Sequence, residues 1–440
     1  MIASDNICAI ATAVGGAIGV IRVSGPEAVG IVAGVFSKDI SQAKGYTMHH
    51  GYIEGIDEVI VTVCRAPHSY TGEDTVEISC HGSAYILGQV LNLLVEKGCR
   101  LAGPGEFTKR AYLNGKMDLS QAEAVADVIA SQTAVQHRVA MQQMRGGISS
   151  KLQVLRDELL HLTSLLELEL DFSDHEELEF ADRTELESLA DNINNEIQRL
   201  ASSFREGNAI KNGIPVAIIG APNVGKSTLL NALLHDDRAI VSDIQGTTRD
   251  LIEDTMTIGG YLFRFIDTAG IRNTDDTIEQ MGIERSLKAA EKAQIIILLS
   301  DEKSPFPDIQ EKEHQQIVYV INKSDKLKPG HENLHSALEI SALHGSGIKE
   351  LEERLLSIAT SSNKIGADEV IITNQRHKQA LDTAAADIQR AIQTMRQGLS
   401  GDLISEDLRL CINHLSDILG GTITTNEVLG NIFKNFCVGK

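Results

Sequence analysis

The sequence predicts a multidomain chain of α/β plus all-α parts: an N-terminal α+β domain, then a helical domain interrupted by an α/β domain. Three observations point there. The chain has 440 residues, and at roughly 150 residues per domain that length argues for about three domains. Its eight prolines leave none between Pro104 and Pro215 and none after Pro329, so two long stretches lack the residue that breaks helix interiors. Between those stretches lie short apolar runs separated by helical segments, the texture of α/β alternation.

In chain order, the first hundred residues mix strands at Gly19–Val23, Glu58–Cys64 and Thr75–Ser79 with a helix near Ser83–Lys97. The first proline-free stretch is helical. Gln121–Met144 is rich in Ala, Val and Gln, and Lys151–Glu169 sets Leu152, Leu155, Leu159, Leu162 and Leu166 at spacings of three and four, the stripe of an amphipathic helix. Glu185–Phe204 repeats that pattern. Strands follow at Val216–Ile219, Tyr261–Ile266, Ile295–Leu299 and Ile317–Ile321. The tail returns to helix, with Gln375–Arg396 and then Ser405–Leu419, where Leu408, Ile412, Leu415 and Leu419 share one face. No internal repeat is evident.

Composition narrows the function classes. Hydrophobic residues make up 42% and charged residues 23%, enough apolar material for ordinary cores, which excludes a wholly disordered chain. Forty basic residues against 61 acidic ones give a net charge of −21. That excludes a protein drawn to nucleic acid by a global basic field, so contact with RNA must be local or delegated to a partner. The six cysteines form no Cys-x-x-Cys pair and no cluster with histidine, which argues against zinc and against a disulfide framework. No apolar run approaches the roughly 18 residues a membrane span needs, and the N-terminus has no basic region before its apolar residues. A cytoplasmic protein with reduced thiols is expected.

The chemistry concentrates in the α/β part. Strand Val216–Ile219 runs into Gly220-Ala221-Pro222-Asn223-Val224-Gly225-Lys226-Ser227 and then a helix over Thr228–Leu234, which is the phosphate-binding pattern in its required strand-loop-helix setting. The glycines let backbone N–H groups curl around phosphate oxygens, Lys226 neutralises the outer phosphates, and Ser227 offers a hydroxyl to magnesium. Asp267-Thr268-Ala269-Gly270 follows the next strand, setting a carboxylate near the metal and an amide where a γ-phosphate is sensed. Asn322-Lys323-Ser324-Asp325 follows Ile317–Ile321. Its aspartate can accept both ring N–H groups of guanine, which adenine cannot offer. Ser341-Ala342 comes after a further short strand and backs the base. The nucleotide is read as GTP.

The hydrolytic part departs from the Ras pattern, in which a glutamine after Asp-x-x-Gly orients the attacking water. Here that position is Ile271, and several polar residues between Arg272 and Glu279 are candidates that spacing alone cannot rank. Upstream, Ser242-Asp243-Ile244-Gln245-Gly246-Thr247-Thr248-Arg249-Asp250 supplies threonines for magnesium and carbonyls for a second, monovalent cation.

With Gly-Thr-Thr-Arg-Asp at 246–250, Asp-Thr-Ala-Gly-Ile-Arg at 267–272 and Cys437-Val438-Gly439-Lys440 at the C-terminus, the chain closely resembles the tRNA-modification GTPase family MnmE, also called TrmE. The resemblance covers essentially the whole chain and includes Gly19–Gly25, Ser69–Asp74, Pro104–Thr108 and Leu113–Leu119. It implies four segments: 1–117, an α+β domain that dimerises and binds a formyl-tetrahydrofolate-type one-carbon donor; 118–212, the first part of a helical domain; 213–360, a Ras-like P-loop GTPase domain; and 361–440, the second helical part with its Cys-x-Gly-Lys end.

The resemblance also implies a potassium-stimulated GTPase that works with the flavoprotein MnmG in a heterotetramer. Together they install a carboxymethylaminomethyl or aminomethyl group at carbon 5 of the wobble uridine of certain tRNAs, and GTP hydrolysis drives a rearrangement through pairing of the GTPase domains. Residue by residue, it implies folate contacts at Arg22, Glu77, Lys116 and Lys440. It implies magnesium ligands Ser227 and Thr248, potassium ligands Asn223, Ser242, Ile244 and Thr247, and Glu279 as the acid that orients water. Cys437 is a candidate nucleophile. Two departures are Ser242, where many relatives carry threonine, and Val438 in place of isoleucine. A net charge of −21 makes MnmG the expected source of much of the tRNA-binding surface.

Overall fold

The computed structural model describes residues 5–171, 183–235, 254–266, 288–302, 304–312, 315–327, 334–362, 369–399, 401–421, 429, 432–434 and 436–439. The chain divides into two compact units. One holds Met1–Ala130, Ala140–Gln198 and Gln379–Lys440, and the other Ser131–Val139 and Arg199–Lys378.

In the first unit, β1 (Asn6–Ile10), β2 (Ile18–Ser24), β3 (Thr47–Ile53), β4 (Asp57–Cys64), β5 (Thr75–His81) and β6 (Cys99–Leu101) form one sheet in the order β3-β4-β5-β2-β1-β6. All neighbours are antiparallel except β1 and β6. Alternation sorts the side chains. Ile21, Val23, Val61, Val63, Val76 and Ile78 are buried in one core with residues of α1 (Ala28–Ala33) and α2 (Ala84–Glu96). Arg22 and Glu77, one residue out of that phase, point to the opposite face and stand directly across from each other in the β2/β5 ladder. The period-2 rule thus predicts their face from sequence.

The helices of this unit begin with α3 (Glu106–Leu113) and α4 (Leu119–Ala130). The Ala- and Gln-rich stretch Gln121–Met144 is helical as expected, in two helices: α4 ends at Ala130 and α5 (Ala134–Met144) starts at Ala134. The break has a local cause. Thr133 Oγ1 accepts from the Gln136 amide at 3.2 Å, while Gln136 Oε1 accepts from the Gln132 and Thr133 amides at 2.8 and 3.1 Å, a capping box written Thr-x-x-Gln. Next come α6 (Gly147–Asp171) and α7 (Arg183–Ser202). Phe204 lies two residues beyond the end of α7 and opens the next helix. The leucine stripe of α6 is buried and packs on α12 (Gly401–Leu419), whose Leu408, Ile412 and Leu415 are likewise buried.

In the second unit, α8 (Phe204–Asn212) leads into β7 (Ile214–Gly220) and α9 (Lys226–His235). There follow β8 (Asp254–Ile258), β9 (Tyr261–Phe265), β10 (Ile295–Ser300), β11 (Gln316–Ile321), β12 (Leu338–Glu339) and α10 (Ile348–Ser362). α11 spans Gln375–Arg396, with the bounds read from sequence, and from Gln379 onward belongs to the first unit. The sheet order is β12-β11-β10-β7-β9-β8, parallel except for β8/β9. All six residues of β10 are buried, and the first five, Ile295–Leu299, form the unbroken apolar run of a central parallel strand covered on both faces. α9 and α10 close one face through Leu229, Leu230, Leu233, Leu351 and Leu355.

Candidate functional site

The turn after β7 is built so that side chains cannot enter it. A Cβ on Gly220 would lie 2.3 Å from the Leu299 carbonyl oxygen, and one on Gly225 would lie 2.3 Å from Asn322 Nδ2. Asn223 has φ +62 and Gly225 φ +100, so the chain turns through left-handed backbone and aims amides at the mouth of α9, where the helix dipole favours anions. Lys226, the first residue of α9, donates its Nζ hydrogens to the carbonyls of Gly220 and Ala221 at 2.9 Å each. Burial pulls its pKa below the ordinary lysine value, so a bound phosphate would favour its charged form. These residues fit a nucleotide phosphate chain, with Ser227 next in line for its magnesium.

The guanine-reading segment is locked to this loop. Asn322, buried at the end of β11, donates from Nδ2 to the Val224 carbonyl at 2.9 Å and accepts at Oδ1 from the Ala342 amide at 3.0 Å. Lys323 Nζ donates to the Asn223 carbonyl at 2.7 Å. Ser341 Oγ donates to Asp325 Oδ1 at 2.8 Å, and this bond holds the Asp325 carboxyl below the usual carboxylate range. It stays an anionic acceptor for two guanine N–H groups at any pH above that lowered value. The Asp325→Asn variant is expected to lose its preference for GTP over xanthosine triphosphate by about tenfold or more, because an amide offers one acceptor and one clashing donor. Competition of the two nucleotides for binding checks this, and unchanged preference would remove Asp325 from base recognition.

Several sequence-derived candidates lie outside the described residues: Ser242, Asp243, Ile244, Gln245, Gly246, Thr247, Thr248, Asp267, Thr268, Ala269, Gly270, Glu279 and Lys440. Val224 and Thr228 fall where expected, in the loop and in the first turn of α9.

The other unit carries a second constellation. Arg22 pairs with Glu77 through Nε and Nη2, at 2.9 and 2.8 Å to Oε1, and its Nη1 donates to the carbonyl of Gly439 at 3.1 Å. Its guanidinium carbon lies 5.5 Å from the ring centroids of both Tyr70 and Phe107, within cation–π range. Sequence reasoning did not single out these two aromatics. Tyr70 sits inside the Ser69–Asp74 match and Phe107 inside Pro104–Thr108, so the signal was present as adjacency to motif residues. Lys116 is apart from this pair, its Nζ donating to the Pro67 carbonyl at 2.9 Å. The C-terminal tail docks through backbone, with the Gly105 amide donating to the Cys437 carbonyl at 3.3 Å. Cys437 itself is exposed. The Arg22 guanidinium is thus held by a carboxylate, a backbone carbonyl and two aromatic rings. Among the described residues no helix is long and apolar enough to cross a membrane.

A phosphate cradle at the end of a buried parallel strand, tied by Asn322 to a guanine-reading loop, defines a P-loop nucleotide-binding protein with the Ras-like α/β fold. Family comparison narrows the class. The model described as "MnmE helical domain" matches residues 119–437, and the one described as "GTP-binding protein TrmE N-terminus" matches residues 6–116. Proteins called tRNA modification GTPase MnmE are similar over full length. The one from Parabacteroides distasonis is 55% identical, covering 99% of this chain and 100% of that protein. Those from Bacteroides fragilis ATCC 25285 and Flavobacterium johnsoniae are 52% and 49% identical, over 99% and 100% of this chain and 99% and 100% of theirs. The chain belongs to the MnmE (TrmE) family.

Proposed function

We propose that this chain is a GTP hydrolase acting in tRNA modification: a potassium-stimulated GTPase that, with the flavoprotein MnmG, adds a carboxymethylaminomethyl or aminomethyl group to carbon 5 of the wobble uridine of certain tRNAs. The observation that carries the nucleotide half is the Asn322 bridge between the Val224 carbonyl and the Ala342 amide, which makes phosphate loop and base loop one rigid receptor. Segment 213–360 is the GTPase domain, 118–212 and 361–440 form the helical domain, and 1–117 is the folate-binding and dimerising domain. Magnesium binds at Ser227 and Thr248. Potassium binds through Asn223, Ser242, Ile244 and Thr247, supplying the positive charge that phosphoryl transfer requires. Glu279 orients the water.

The one-carbon donor binds at Arg22, Glu77, Lys116 and Lys440, with Tyr70 and Phe107 beside Arg22, and Cys437 is held near by the docked tail. A second copy of the chain covers the sheet face opposite α1 and α2, where Ile18, Met48 and Tyr52 are 60–68% exposed, an apolar surface larger than scattered single residues require. The site of action is the cytoplasm, and MnmG provides most of the tRNA contact. The test is nucleoside analysis of tRNA from cells lacking this chain. Wobble uridines without the carbon 5 substituent are expected, restored by the wild-type chain and not by Lys226→Ala. An unchanged nucleoside profile would refute the modification role while leaving the nucleotide site intact.

A further inference from the structure

β10 is followed by Asp301, whose side chain is only 10% exposed. Its Oδ2 lies 2.7 Å from Lys323 Nζ, the same nitrogen that donates to the Asn223 carbonyl at 2.7 Å. One ammonium group thus joins three segments that are far apart in sequence: the end of a central strand, the guanine-reading loop and the phosphate loop. Both loop residues it touches or belongs to are unusual. Lys323 has φ +62 and ψ +38, and Asn223 has φ +62. Left-handed backbone at non-glycine residues persists only where surrounding contacts over-determine it.

A lysine ammonium on a four-carbon stem is strongly hydrated and has many rotamers. Left to itself, at the 36% exposure it has here, it would spend its donors on water, and the Asn223 carbonyl would lose its charged partner. A carboxylate fixed at the tip of β10 changes that balance. It takes one of the three Nζ hydrogens in a charge-assisted bond and points a second at Asn223. Asp301 is anchored in turn, since the amide of Ser304 donates to its carbonyl at 3.2 Å and Ser300 Oγ donates to the Ser304 carbonyl at 2.7 Å.

Building on the guanine-nucleotide and potassium reading above, we propose that Asp301 is a positioning residue. By fixing Lys323 Nζ on the Asn223 carbonyl, it holds both loops in their nucleotide-ready conformation and so sets guanine-nucleotide affinity and the response to the monovalent cation. Asp301 touches neither base nor phosphate; it acts through Lys323. Asn223 is the pivot, because the backbone that Lys323 clamps carries the side-chain oxygen assigned to potassium.

The test uses the full chain, with a fluorescent GDP analogue for affinity and a potassium titration of the GTPase rate at saturating GTP. Asp301→Ala is expected to weaken analogue binding about tenfold, the size of a lost charge-assisted hydrogen bond. It should raise the potassium concentration for half-maximal rate several-fold, with the rate at saturating potassium within about twofold of wild type. Asp301→Asn should restore both values to within about twofold, because its amide oxygen still accepts from Nζ. Lys323→Ala and the double variant Asp301→Ala/Lys323→Ala should bind the nucleotide equally, since the proposal routes the effect of Asp301 on nucleotide binding through the lysine. Asp301→Leu keeps the branched shape, with the same number of heavy atoms, but not the acceptor, and carries the same test should the alanine variant fail to fold. Wild-type values in Asp301→Ala or Asp301→Leu, or losses that add in the double variant, would overturn the proposal while leaving the nucleotide reading in place. A wild-type chain that binds no GDP analogue would instead overturn that reading and this proposal with it.

Discussion

Gly225→Ala is expected to lower guanine-nucleotide affinity by about 10² to 10³-fold. Two separate costs combine. The residue has φ +100, where a side chain costs of order 1–3 kcal/mol. Its new Cβ would also lie 2.3 Å from Asn322 Nδ2, so the asparagine must leave. Asn322 is buried and spends both ends of its amide, on the Val224 carbonyl and the Ala342 amide. Expelling it costs about another 1–3 kcal/mol in unsatisfied groups. One methyl group therefore damages the phosphate loop and the base loop together. Binding of a fluorescent GDP analogue, with the thermal unfolding midpoint as a control for folding, measures the effect. Wild-type affinity in this variant would mean that the Asn322 bridge is not part of the receptor.

Glu279→Ala is expected to cut the rate of hydrolysis by about 10² to 10³-fold, within the usual range for losing a group that positions and polarises a reacting water, while GTP binds as before. The two effects separate because the ground-state contacts come from elsewhere. The cradle around Gly225, the Lys226 ammonium and the Asn322-to-Asp325 loop need nothing from position 279. Ile271, which stands where Ras-type proteins carry glutamine, has no polar atom with which to replace the lost carboxylate. Single-turnover hydrolysis and equilibrium binding of a GTP analogue on the same preparation distinguish the outcomes. Turnover within tenfold of wild type would move the water-orienting role to another polar residue between Arg272 and Ile278.

The parts that sequence revealed share a physical trait: their signals are local. β7, β10 and β11 are buried parallel strands, so each reads as a continuous apolar run, and the α6 leucine stripe carries the helical period in five residues. The phosphate and guanine loops are legible because phosphate and base chemistry permit few residue types at those spacings. What escaped had weaker or longer-range signals. β3 reads Thr-Met-His-His-Gly-Tyr-Ile, an edge strand whose two histidines and glycine blur the alternation. The break before α5 lies in Thr-x-x-Gln, four residues inside a composition that otherwise favours helix. The clasp of Arg22 on Gly439 joins residues 417 positions apart, beyond the reach of any periodicity. Asp301 is one acid after an apolar strand, and its contact with Lys323 lies 22 positions along the chain.

That clasp, together with the way Gln379–Lys440 completes the unit begun by Met1–Ala130, has a consequence for the order of events during synthesis. The first sheet can pair its strands as soon as it leaves the ribosome, because each of its neighbours lies within the first 101 residues. α6 must wait for α12. At roughly 5–20 residues per second, the intervening Arg199–Lys378 takes on the order of ten to forty seconds to translate, and throughout that time the leucine face of α6 has no α12 to cover it. A nascent chain paused or truncated in this interval would leave the part of the leucine row Leu152, Leu155, Leu159, Leu162 and Leu166 that packs on α12 without its partner. A chain cut short within the nucleotide-binding insert thus lacks the segment that completes the unit begun by Met1–Ala130.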